Sequence, residues 1–183
     1  MSDRTLITGF GPFLDVKDNP SSELAKALGR QHRILEVSYD AVEDFIFHLD
    51  PDTFDRILML GVAPGRTHIS AELFARNTYG QAPDIRGDRR NGPIQEGEPL
   101  LLGTTLFGED LLSDLLLDTS HFRLSLNAGS YLCNFAYYKG LTAFPAKQVG
   151  FLHIPPFSQM GFEDQLRAVG HLVVAAESCF AKV

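Results

Sequence analysis

Arg56-Ile57-Leu58-Met59-Leu60-Gly61-Val62 is the stretch on which the fold turns. After Arg56 it is apolar and continuous, as expected of a central strand covered on both faces in a mostly parallel sheet. Outward from it, residues 4–8 form a second β-branched run that stops at Gly9, and residues 149–154 a third that Pro155-Pro156 cuts off. Asn19 before Pro20 reads as a helix N-cap with proline at the first helical position, and Leu24, Ala27 and Leu28 supply the apolar face. Residues 33–39, 69–77 and 122–126 read as further strands. Residues 41–49, 109–117 and 130–143 read as helices, with a terminal helix from Phe162. Strands alternating with helices predict a layered α/β domain whose site lies beyond the carboxyl ends of the strands.

The chain has 183 residues, the length of a single domain spanning 1–183. Its formal charge of −7 argues against a general nucleic-acid partner, which needs a basic face to displace counterions. Cys133 and Cys179 are too few for a disulfide scaffold and lack metal-ligand spacing, and the six histidines are scattered. The first ten residues hold an acid and no apolar stretch of the kind a leader needs, and no run is long enough to span a membrane. A cytoplasmic protein with reduced thiols is expected.

Residues 78–99 carry Gly80, Gly87, Gly92 and Gly97 with Pro83, Pro93 and Pro99. They predict a long mobile loop over the site, with Arg86, Arg89 and Arg90 on a solvated face. Gly9-Phe10-Gly11 invites a dinucleotide reading, but the third glycine would fall at Leu14, and Pro12 spoils the helix entry.

Three residues carry chemistry. Cys133 follows a strand and falls in the first turn of a helix that Ser130 could cap, where the positive helix end favours a thiolate. A small buried hydrophobe is the alternative, and Cys179, beside Ala175, Ala176 and Phe180, fits that alternative better. His153 closes an apolar strand, a place for a structural histidine or a general base. Glu72 interrupts an apolar strand and must be paired if buried. Together they supply nucleophile, base and orienter. Asp84 is a second candidate orienter.

Four motifs give the chain a resemblance to the pyroglutamyl peptidase I family, the pyrrolidone-carboxylate peptidases. They are Thr8-Gly9-Phe10-Gly11-Pro12-Phe13 with Asn19-Pro20-Ser21; residues 61–66 followed by Ile69-Ser70-Ala71-Glu72 and Asn77; Ala128-Gly129-Ser130-Tyr131-Leu132-Cys133-Asn134; and Gly150-Phe151-Leu152-His153-Ile154-Pro155. The resemblance implies Cys133 as nucleophile, His153 as base and Glu72 as its orienting acid. It implies a three-layer α/β/α sandwich with a mostly parallel mixed central sheet, no cofactor or metal, commonly a homotetramer, and small N-terminally pyroglutamylated peptides as substrates. Phe10, Phe13, Tyr131 and Leu132 should wall the pocket for the pyrrolidone ring, with Asn19 bracing the loop around it. The chain departs from the family at Leu14-Asp15, usually two glycines, at Val62, often glutamine, and at Leu73, often basic. It departs again at Gln81, usually arginine; if that arginine steadies the developing oxyanion, Gln81 would do so with a neutral and weaker hydrogen bond. A same-fold cysteine hydrolase acting on another small acyl or lactam group, and a non-catalytic ligand-binding protein, share these parts.

Overall fold

A computed structural model describes residues 4–13 and 18–179, with the Cys179 side chain excepted. The departure at Leu14-Asp15 lies outside the described residues, as does the Cys179 thiol. In chain order the elements are β1 (Thr5–Phe10), α1 (Pro20–Ala27), β2 (Gln31–Leu35), α2 (Tyr39–His48), a 3-10 turn (Pro51–Thr53), β3 (Arg56–Val62), β4 (Ile69–Glu72), β5 (Phe74–Arg76), β6 (Leu101–Gly103), α3 (Glu109–Leu117), β7 (Phe122–Ser125), α4 (Leu132–Ala143), β8 (Gln148–Ile154) and α5 (Phe162–Cys179). Six strands form one sheet in the order β2-β1-β3-β8-β4-β7. Every neighbouring pair is parallel except β4 with β8. The sheet is therefore mixed and mostly parallel, as expected.

Side-chain alternation sorts the apolar residues into two layers. Leu6, Phe10, Ile57, Met59, Val149 and Phe151 pack with α2 and α4 on one face. Ile7, Leu58, Leu60, Leu152 and Ile154 pack with α1, α3 and α5 on the other. This double covering is why 56–62 shows no polar alternation. Each fully buried leucine or isoleucine there contributes about 1.5–3 kcal/mol. Gly9 is fixed by packing: a Cβ on it would lie 2.3 Å from the Ser21 carbonyl oxygen, where α1 crosses β1.

Two expectations fail. Residues 69–77 are not one strand. At Leu73 the chain leaves the main sheet, its amide bonded to the Ser125 carbonyl (2.7 Å) and its own carbonyl accepting from Thr104 N–H (2.8 Å). The chain beyond it pairs with β6 as a separate two-stranded sheet.

Residues 78–99 lack regular structure, as expected, but hydrogen bonds and ion pairs anchor them and none of them lines the cavity of the site. The Asp84 carboxylate accepts the backbone amides of Tyr39, Arg86 and Asp88 at 2.9–3.0 Å. Arg90 reaches Asp40, Glu43 and Asp88 and lies 5.0 Å over the Tyr39 ring. The Asn77 side chain ties down Gln95 and Glu98. Arg90 is thus a clamp onto α2 rather than a solvated surface residue. Glycine and proline content marks the absence of a ladder; it does not reveal which distant carboxylates hold the segment.

Candidate active site

Strand parity brings the acid to the base. On β4, Ile69 and Ala71 face the α1/α3/α5 layer, so Ser70 and Glu72 face the other. On β8, Val149 and Phe151 face the α2/α4 layer, so His153 follows them. The antiparallel register sets Glu72 opposite Phe151 and Ser70 opposite His153, making Glu72 and His153 diagonal neighbours on one face. His153 Nδ1 lies 2.8 Å from Glu72 Oε1. An ionised carboxylate can only accept, so the imidazole proton is on Nδ1 and Nε2 is left as the basic nitrogen.

Glu72 is fully buried and is paired, as its setting demanded. Arg66 Nη1 donates to the same oxygen at 2.7 Å, and Arg66 Nη2 donates to the Asn127 carbonyl at 3.2 Å. Burial pushes the Glu72 pKa upward, but hydrogen bonds from His153 and Ser125, with the charges of His153 and Arg66, outweigh it and hold the carboxyl below its ordinary range. Asp84, the other candidate orienter, spends its carboxylate on the loop amides described above and does not bond to His153.

Cys133 is the second residue of α4. The N-cap is Tyr131, with no side-chain cap, so Ser130 does not cap this helix and the first-turn amides lack partners within it. The thiol rests over β3, where a Cβ on Gly61 would come within 2.7 Å of Sγ. Gly61 is the register partner of His153. The absent side chain at 61 therefore makes the space that lets the sulfur approach the sheet beside the imidazole. Asn134, fully buried, locks the helix start to β5 by accepting Arg76 N–H (2.8 Å) and donating to the Arg76 and Thr78 carbonyls.

Helix position alone predicts a lowered thiol pKa, and the surroundings reverse it. Burial pushes the Cys133 thiol up to about 12, the Glu72 carboxylate raising it further and the Arg66 charge offsetting part of the rise. The Cys133 side chain therefore rests as a neutral thiol. Alkylation of Cys133 by iodoacetamide, followed by peptide mapping, should therefore accelerate from about pH 7 through about pH 9. A rate already level at neutral pH would show a thiolate formed at rest.

A cavity of about 420 Å³ opens beside these groups. Phe10, Phe13, Asn19, Val62, Tyr131 and Leu132 line it, together with Cys133, His153 and Arg66. Asn19 braces one wall: its Nδ2 donates to the Gly11 carbonyl (2.9 Å) and its Oδ1 accepts from the Ser21 amide and hydroxyl. Tyr131 holds another, its hydroxyl donating to the Pro83 carbonyl at 2.9 Å. Gln81 does not line the cavity. It is exposed, and its carbonyl is held by Arg89. Glu72 lies behind His153 rather than in the lining. Sequence reasoning gave Arg66 and Asn134 no role. The available signal was the requirement that a buried Glu72 have a cation, six residues after Arg66 across a turn.

Known proteins match this chain along its length. A family model described as Pyroglutamyl peptidase matches residues 3–177. Pyrrolidone-carboxylate peptidase 1 of Saccharolobus solfataricus is 35% identical over 169 residues, covering 82% of this chain and 77% of the relative. The pyrrolidone-carboxylate peptidase of Halalkalibacterium halodurans is 31% identical over 178 residues, covering 87% of each. The solved pyrrolidone carboxyl peptidase of Thermococcus litoralis superposes with a TM-score of 0.86 at 26% identity, covering 99% of this chain and 96% of that one.

Proposed function

The chain belongs to the pyroglutamyl peptidase family of cysteine hydrolases, and from that membership we propose that Cys133, His153 and Glu72 carry its reaction, hydrolysis of the amide bond after an N-terminal pyroglutamyl residue. The observation that carries the assignment is the 2.8 Å bond from His153 Nδ1 to the buried Glu72, on the face where Cys133 enters the cavity. As substrate binds, His153 Nε2 takes the thiol proton and Sγ attacks the pyroglutamyl carbonyl. The free amides of the first turn of α4 receive the developing oxyanion. The imidazolium, stabilised by Glu72, then gives its proton to the leaving amine. Water, deprotonated by the same nitrogen, cleaves the thioester and restores the thiol.

The pyrrolidone ring is flat and neutral. Phe10, Phe13, Tyr131 and Leu132 offer it apolar walls, and Val62 extends them. Among the described residues no carboxylate lines the cavity, so an N-terminal ammonium finds no counter-charge there. Small N-terminally pyroglutamylated peptides are the substrates. The net charge of −7 favours no nucleic-acid partner, and no helix among the described residues is long and apolar enough to cross a membrane. The resemblance in sequence supports one catalytic domain over 1–183 acting as a homotetramer, and the sparse cysteine content suits the cytoplasm. Release of the fluorophore from a pyroglutamyl coumarin amide by the purified chain tests this function; no release above buffer would end it.

A further inference from the structure

Arg66 belongs to neither the nucleophile nor the base, yet it joins the two halves of the site. Its Nη1 lies 2.7 Å from Glu72 Oε1, the oxygen that His153 Nδ1 also uses at 2.8 Å. Its Nη2 lies 3.2 Å from the carbonyl of Asn127, in the segment that leads to α4. Arg76 grips that segment from another side, bonding Asn127 Oδ1 at 2.7 Å and the Gly129 carbonyl at 3.1 Å. The guanidinium is thus a fork with one tine on the acid behind the base and the other on the strand-to-helix turn that carries the nucleophile.

Charge gives this fork a purpose. Glu72 is fully buried, and its two closest donors, His153 Nδ1 and Arg66 Nη1, share one oxygen, Oε1. The groups facing it are His153 from β8, Ser125 from β7, Cys133 and Tyr137 from α4, and Arg66 from the turn after β3. Arg66 alone among these is a permanent cation. Without it the buried carboxylate would lose its one permanent counter-charge, and an uncompensated buried charge is strongly unfavourable. The carboxyl would then favour its proton, and a protonated Glu72 accepts from Nδ1–H only as a neutral, weaker partner that cannot offset the charge of an imidazolium.

We propose that Arg66 is a positioning residue for the reaction: it keeps Glu72 ionised and fixes the Asn127–Gly129 turn relative to His153, so that base and nucleophile meet at one distance. The inference rests on the peptidase reading above, because it assumes turnover by Cys133 and His153. It differs from a role in substrate binding, which the place of Arg66 in the cavity lining would also allow. The two make opposite demands on a double-mutant cycle.

The experiment is steady-state hydrolysis of a pyroglutamyl coumarin amide across pH by the wild-type chain, Arg66→Gln, Glu72→Gln and the double variant. Arg66→Lys serves as the conservative control, and circular dichroism checks folding. Arg66→Gln should lower kcat by about 10²-fold, the effect of a small misplacement of reacting groups, with KM within about threefold. Its acid limb should move to higher pH, because Glu72 then takes its proton more readily. Arg66→Lys, which keeps the charge, should recover about tenfold of that loss. In the Glu72→Gln background, Arg66→Gln should remove no more than about tenfold further, since the carboxylate it keeps ionised is gone and only its hold on the Asn127 carbonyl remains. Equal losses in both backgrounds, or a loss confined to KM, would overturn the inference. So would an unmoved acid limb in a folded Arg66→Gln. If Arg66→Gln does not fold, the same cycle with Arg66→Lys decides, on the same criterion of non-additivity. An inactive wild-type chain, by contrast, would remove the peptidase reading itself and this inference with it.

Discussion

Cys133→Ala should leave the chain folded and lower kcat for a pyroglutamyl amide by about 10⁵-fold or more, the scale on which removal of a sole nucleophile acts. The substitution deletes one sulfur from a half-buried position at a helix start, where alanine has the higher helix propensity, so stability should change little. The free amides of α4 and the aromatic walls remain and leave a residual rate, but no atom remains that can form the acyl-enzyme. Progress curves on concentrated variant protein, with thermal unfolding as the control, measure it. A loss of less than tenfold would place the nucleophile elsewhere.

Glu72→Gln is expected to cost about 10⁴-fold in kcat while the protein stays folded. Glutamine fits the same space, but it cannot neutralise an imidazolium. If its amide NH₂ turns toward Nδ1, it stabilises the wrong tautomer, with the proton on Nε2 where the thiol proton must arrive. Arg66, whose side chain is 30% exposed, can recover solvation on the cavity side, so the variant does not leave a stranded buried cation. Asp84→Asn is the matched comparison. It weakens three bonds to backbone amides and so loosens residues 84–88, but it touches no proton in the reaction. Its kcat should stay within about threefold of wild type, as for a structural change remote from the chemistry. An inactive Asp84→Asn beside a nearly active Glu72→Gln would reverse the assignment.

Much of this site was legible because its residues break local rules. Glu72 is a charge in an apolar strand, His153 is a polar residue near the end of a buried one, and Cys133 follows a strand-to-turn junction; the fold brings the acid and the imidazole into contact and the thiol into the same cavity wall. The central strand was legible because double covering erases polar alternation in 56–62. The failures are long-range. The alternation of 69–77 continues through Leu73 although the chain changes sheets there, because the partners that redirect it, Ser125 and Thr104, are distant in sequence. The anchoring of residues 78–99 depends on Asp40 and Glu43 of α2 meeting Arg90, which no local pattern reports. The raised thiol pKa arises from the wall that β3 and β8 build around the sulfur at Gly61 and Phe151, whereas the helix-start position that suggested a thiolate is local. Gln81 failed for a related reason: a motif fixes its place in the chain, and Arg89 fixes where its backbone goes.

Specificity for the lactam ring is tested by two substrates side by side on the unmodified chain, the coumarin amides of pyroglutamate and of proline. The rings are nearly equal in size. Pyroglutamate presents a lactam carbonyl and a neutral N–H, whereas N-terminal proline presents a protonated secondary amine. That amine would enter a cavity whose described lining holds a cation at Arg66 and no carboxylate. Sites built around a particular hydrogen-bonding group reject analogues lacking it by about 10⁴ to 10⁵. Ready cleavage of the pyroglutamyl amide is expected, with a kcat/KM for the prolyl amide lower by at least about 10³-fold. Comparable turnover of the two, or cleavage of the prolyl amide alone, would contradict that specificity.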